Sequence, residues 1–159
     1  MMTARIFLAG ALFASGYALY AKPPAAGAPS GTELILARQS GMDMSVSTLT
    51  LLKNASGNGV PLKNLVFPTS GLAKWAVALP ALFAENTKGL PSRAKPTVWT
   101  DRTGFNAKAA EFGAATKALA AAAAAEDKPA FDAALATIGA SCKGCHDAYQ
   151  APPPAAKPG

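Results

Sequence analysis

Ala140-Ser141-Cys142-Lys143-Gly144-Cys145-His146-Asp147-Ala148-Tyr149 lies close to the C-terminus, and its reading decides what the rest of the chain must build. Two cysteines three apart, followed at once by histidine, form the attachment pattern for a c-type haem. The spacing has a chemical reason. Each thiol adds to one haem vinyl group, and residues three or four apart on a helix share a face. Cys142 and Cys145 thus supply two tethers, and His146, four residues after Cys142, offers its imidazole to the iron from that face. The expected cofactor is one haem c, covalent through Cys142 and Cys145, with His146 as its metal ligand. A bare CxxC is also compatible with a thiol-disulfide pair or half of a zinc site. Zinc normally takes four ligands, and the chain holds two cysteines and one histidine. A thioredoxin-like site calls for a βαβ context, and no such pattern is visible.

Composition favours helix, because alanine is abundant and β-branched residues are few outside short stretches. A length of 159 residues suits one domain with a sizeable core. The net charge of +6 speaks of solubility and steering, not of fold. Lysines are scattered without aromatic interleaving, which argues against a nucleic-acid surface. A basic surface would suit an acidic redox partner. No general base, second histidine or distal acid points to a peroxidase or other haem enzyme, so an enzyme is not expected.

Residues 1–21 read as a secretory signal, with Arg5 as the positive start and an apolar run from Ile6 onward. Cleavage after Ala21 leaves no membrane insertion, with an uncleaved anchor as the alternative. Residues 22–30, rich in Pro, Ala and Gly, read as a flexible leader. A first helix is expected from Gly31 or Thr32 to about Lys53, with Leu34, Arg38, Met42, Val46 and Leu49 as its inward stripe. Asn54 to Gly59 should stop it. A second helix is expected behind Thr69 or Ser70 as N-cap, ended or bent by Pro80. A polar loop follows from Glu85 to Pro96. The third helix should run from about Trp99 to Ala125, burying Phe105, Ala109, Phe112, Thr116 and Leu119. Asp127 should cap a fourth, which carries Phe131, Leu135, Ile138, Cys142, Cys145 and Tyr149 inward. Residues 151–159, with three consecutive prolines, read as a disordered tail. The fold expected is all-α, an antiparallel four-helix bundle over residues 31–150 with covalently attached haem.

A CxxCH on the last helix of such a chain resembles the class II cytochromes c, and the cytochrome c prime group most. The resemblance covers about Thr32 to Gln150. It is carried by Arg38-Gln39-Ser40, Lys95-Pro96-Thr97-Val98-Trp99 and the motif from Ser141 to Tyr149. It implies a periplasmic haem protein in electron transfer, with a redox partner protein and His146 as proximal iron ligand; the family contains five- and six-coordinate members, and a five-coordinate iron is the state expected here. It places Arg38 and Gln39 along the haem edge near the propionates, where a guanidinium suits a carboxylate. Without it, Arg38 would equally be a snorkelling helix arginine. Arg93 falls near a family position that also approaches the haem. Position 150, four after the histidine, is often basic in the family and is Gln150 here.

Met42 lies one turn after Arg38, so the two share a face, whereas Met44 points about 200° round the helix. Met42 as sixth ligand would make a low-spin electron carrier. Met42 as packing would leave a closed apolar pocket for nitric oxide or carbon monoxide. The family also commonly forms homodimers through the first helix. Exposed Met44, Ser45 and Thr48 are compatible with either oligomeric state.

Overall fold

The structure, a computed structural model, describes residues 27–154. The expected signal segment, most of the leader and the end of the tail lie outside the described residues. Four long helices form the antiparallel bundle: α1 (Gly31–Gly57), α2 (Val66–Ala78), α3 (Arg102–Ala124) and α4 (Lys128–Tyr149). Short 3-10 turns at Leu62–Leu65, Leu79–Phe83 and Glu85–Thr87, with one α-turn at Thr97–Thr100, join them. No strand occurs among the described residues.

α1 begins with a capping box. Ser30 Oγ accepts from Glu33 N, and the Glu33 carboxylate accepts from Ser30 N at 2.7 Å. It ends at Gly57, one turn beyond the expected Lys53 and within the stretch from Asn54 to Gly59 expected to stop it. Gly59, at φ +75°, sits in the left-handed region that closes a Schellman motif, with Val60 N donating to Ala55 O. The α3–α4 turn uses the same motif, Asp127 N donating to Ala122 O, but puts Glu126 at φ 53° where glycine is usual. Asp127 then caps α4 by accepting from Ala130 N at 3.0 Å, and Pro129 occupies a first-turn position that needs no N–H donor.

Between these two turns lies the closed end of the core. Leu52, Leu119, Phe131 and Ile138 are fully buried there, with Leu62, Leu65 and Leu72 packed round them. Each such side chain contributes about 1.5–3 kcal/mol through its burial. The α3 stripe buries as its period requires, Thr116 included, because its hydroxyl bonds back to Phe112 O.

Three expectations need correction. Val46 is 66% exposed, and the inward position is Ser45 at 8%, whose hydroxyl donates to Gly41 O at 2.7 Å. Ser45 is therefore no part of an exposed α1 face, unlike Met44. Thr69 does not cap α2, which starts at Val66 without a side-chain cap; Thr69 is fully buried and donates to Leu65 O. The third helix is also interrupted. Asp101 breaks it after Thr97–Thr100 and N-caps α3 by accepting from Gly104 N at 3.0 Å. Pro80 behaves as expected, since α2 gives way to a 3-10 turn at Leu79.

Gly41 allows the Trp75 ring to pass directly over the α1 backbone, where an added Cβ would overlap it. That contact locks α2 against α1. The opposite ends of α1 and α4 do not close on each other, and the site lies there.

Candidate haem site

α4 brings Cys142, Cys145 and His146 to the mouth of a cavity of about 650 Å³. Both thiols are free and half-buried. Burial pushes both up from the usual thiol value. A dithiol redox site needs the reverse, a stabilised thiolate, so the thiol-disulfide alternative loses support. The zinc alternative fares no better, since no group of three or more metal-binding side chains occurs among the described residues. Desolvation pulls His146 below the ordinary imidazole value, the Arg93 cation adds to this, and Asp147 opposes it. A neutral imidazole is the form that binds a metal.

The cavity is walled by the first half of α1, the first half of α3 and the last half of α4, with Leu79 and Phe83 beneath. Its volume lies within the range of about 300–1,000 Å³ usual for small-molecule sites. Phe83, Phe105 and Tyr149 form an edge-to-face series along it, with centroids 4.8 and 5.4 Å apart. An apolar macrocycle fits such walls.

Arg38 gives the sharper test of fit. It is 4% exposed, its Nη1 donates to Leu82 O at 3.1 Å and its Nη2 to Ser92 Oγ at 3.0 Å. Its guanidinium lies 4.4 Å over the Phe83 ring centroid. It takes no part in the four ion pairs formed among the described residues. Burial pulls its pKa down, the sign of a cation short of compensation. A buried charge with only neutral partners is costly, and an anion entering the cavity would offset that cost. A haem propionate is such an anion. The snorkelling alternative does not hold.

Gln39 and Met42 also line the cavity, Gln39 exposed at its rim and Met42 half-buried against the core. Met44 points away, 68% exposed. Arg93 lies on the connecting segment between Leu90 and Pro96, which crosses the end of α4 as a strap. Ala94 pairs with Gln150 as an isolated antiparallel bridge, Lys95 N donates to Tyr149 O at 2.9 Å, and Ala151 N donates to Arg93 O at 2.7 Å. Lys95 Nζ reaches Asp147 O at 2.7 Å. Carbonyls that a helix terminus leaves unpaired are thereby satisfied, and the His146 turn is held in place. Tyr149 adds a further tie, its hydroxyl donating to Asp101 Oδ2 at 2.7 Å.

The structure thus brings together every residue singled out from sequence: Cys142, Cys145, His146, Arg38, Gln39, Met42 and Arg93 all line one cavity. Sequence reasoning missed Ser92, Phe83 and Lys108. Phe83 could have been suspected as an aromatic just behind a helix-ending proline. Nothing local marks Ser92, which meets Arg38 across 54 positions.

The sequence pattern of the family described as cytochrome c' matches residues 33–150. The cytochrome c' of Pararhodospirillum photometricum is 43% identical over 74 residues, covering 46% of this chain and 59% of that relative's length. Among solved structures, a ferrous variant of cytochrome c prime from Alcaligenes xylosoxidans with bound nitric oxide superposes with a TM-score of 0.72 at 27% identity. It covers 80% of this chain and 100% of that one. A cytochrome c' with ligand-controlled dimer dissociation gives a TM-score of 0.72 at 25% identity, covering 79% and 100%. The chain belongs to the cytochrome c' family and is a c-type haem protein. Its two cysteines are consistent with covalent attachment of haem c through the CxxCH motif.

Proposed function

We propose that this chain carries electrons outside the cytoplasm through a haem whose iron is five-coordinate, with His146 as proximal ligand. The observation that carries the proposal is the α1 wall of the cavity. Met42 there lines the cavity and rests half-buried against the hydrophobic core. Met42 so seated serves as packing that keeps water and bulky ligands out. Haem bound there would supply a redox-active iron. The chain does the rest: Cys142 and Cys145 hold the group covalently, Arg38 and Gln39 meet its carboxylates, and Phe83 and Phe105 exclude water. No second imidazole is available as a catalytic base, so a carrier is favoured over an enzyme.

Two further roles follow from the same pocket and surface. The nitric oxide complex of the Alcaligenes neighbour supports diatomic gas binding as a second function. The outer face of α1 exposes Leu36, Met44 and Leu51, and a second copy seated there would cover them, in line with the dimer of the other neighbour. The segment 1–21 serves in this proposal as the export signal to the periplasm, where a redox partner protein would be met.

Absorption spectra of holoprotein, oxidised, reduced and with carbon monoxide, test the central assignment. A broad high-spin spectrum that shifts with carbon monoxide is expected. A split low-spin α band, indifferent to carbon monoxide and abolished in Met42→Ala, would make Met42 the sixth ligand instead.

A further inference from the structure

The strap that crosses the end of α4 carries a charge that its surroundings leave uncancelled. Arg93 Nε donates to Ala151 O at 2.9 Å and Nη2 to Gln150 Oε1 at 3.4 Å, and both acceptors are neutral. Other cations nearby are placed differently. Lys143 is paired with Asp147 at 2.6 Å and Lys108 with Glu111 at 2.9 Å. Lys95 lies against the carbonyls that end α4, where a cation offsets the helix dipole. Arg93 is left without an acidic partner at the cavity rim, beside the end of α4 that carries His146.

The geometry points to Arg93 as the residue that sets the electrostatic potential on the His146 side of the haem, with Gln150 and Ala151 as the bracket that aims it. This rests on His146 as the iron ligand proposed above. A cation fixed at that side opposes the ferric state, which carries one more positive charge, and so raises the reduction potential. The role divides between two segments. The strap supplies the charge, and the residue four after the histidine supplies only a neutral acceptor. Gln150 is then a positioning residue, because its amide oxygen and the Ala151 carbonyl hold the guanidinium fork in one orientation. Arg93 is exposed, so its influence is open to salt screening.

The test is spectroelectrochemical titration of holoprotein at low and high ionic strength. The variants are Arg93→Gln, Arg93→Lys and the double change Arg93→Gln with Gln150→Arg. Arg93→Gln should lower the potential, with a gap from wild type that shrinks as salt is added. Arg93→Lys should keep most of the wild-type value, and the double change should recover part of what the single change lost. A strap acting only as a structural tie would give a fall that ignores salt and that Gln150→Arg does not recover. That result, or an unmoved potential in Arg93→Gln at low salt, overturns the proposal. Electron paramagnetic resonance of each ferric variant reports the ligand separately. A wild type without histidine ligation overturns both proposals, whereas a histidine-ligated wild type with an unmoved potential overturns this one alone.

Discussion

The two ends of the bundle are built from the same helices and solve opposite problems. At the closed end, Leu52, Leu119, Phe131 and Ile138 fill the space between α1, α3 and α4 with side chains alone. At the other end, the same three helices stand apart round a cavity of about 650 Å³ that holds an uncompensated Arg38. The difference is one of completeness. The closed end reaches interior packing with side chains alone, while in the function proposed above the open end supplies tethers, a ligand and a cation and leaves a haem to complete the core. A void that size within a protein interior would otherwise forfeit packing on all its walls.

Several substitutions sharpen that contrast. Phe131→Ala should have the largest effect, a loss of about 3–5 kcal/mol in denaturant unfolding, because the ring is fully buried where nothing else can fill its place. Holoprotein and apoprotein should suffer alike. Ser30→Ala removes the capping box at the open end of α1 and should cost about 1 kcal/mol in the same measurement. Glu126→Gly, at the turn of the closed end, should instead stabilise by somewhat under about 1 kcal/mol, since the left-handed backbone there suits glycine.

The last prediction concerns pH at the open end. The hydrogen bond to Asp101 pushes the Tyr149 hydroxyl up to about 12, so its contribution is complete below the ordinary phenol value of about 10 and lost as pH rises through 12. The same bond, then the Gly104 N–H, holds Asp101 below the usual carboxylate range. Its contribution is present above about pH 4 and lost as pH falls through the depressed value. The part of the thermal midpoint that this pair contributes, read as wild type minus Tyr149→Phe, should therefore be level between those limits and fall on both sides. Tyr149→Phe should abolish the alkaline limb and weaken the acid one.

The closed end was also the easier one to read in the sequence. Phe131, Ile138 and the α3 stripe announce themselves by period, because apolar side chains there face apolar side chains. Two of the three errors share one physical cause. Ser45 and Thr69 are buried and polar, and each returns its hydroxyl to a carbonyl of its own chain three or four residues back. From composition alone such residues look like surface or like caps. At the open end the residues taken alone singled out Cys142, Cys145 and His146, where covalent chemistry fixes the spacing; Arg38, Gln39 and Arg93 came through the family resemblance, and Met42 from its place one turn after Arg38. The strap was invisible, because the pairing of Ala94 with Gln150 joins backbone atoms far apart in sequence and leaves no side-chain signature. Arg38 could be placed on a face, yet its burial depends on Leu82 and Ser92, which no local pattern connects to it.

Hydrogen exchange read by mass spectrometry, on holoprotein and on a Cys142→Ala/Cys145→Ala apoprotein, tests the account most directly. Loss of haem should expose the first half of α1, the strap and the last turns of α4. Peptides holding Leu52, Leu119 and Phe131 should keep most of their protection. Uniform loss along all four helices, or no loss at the open end, would contradict the division of the bundle into a half completed by side chains and a half completed by haem.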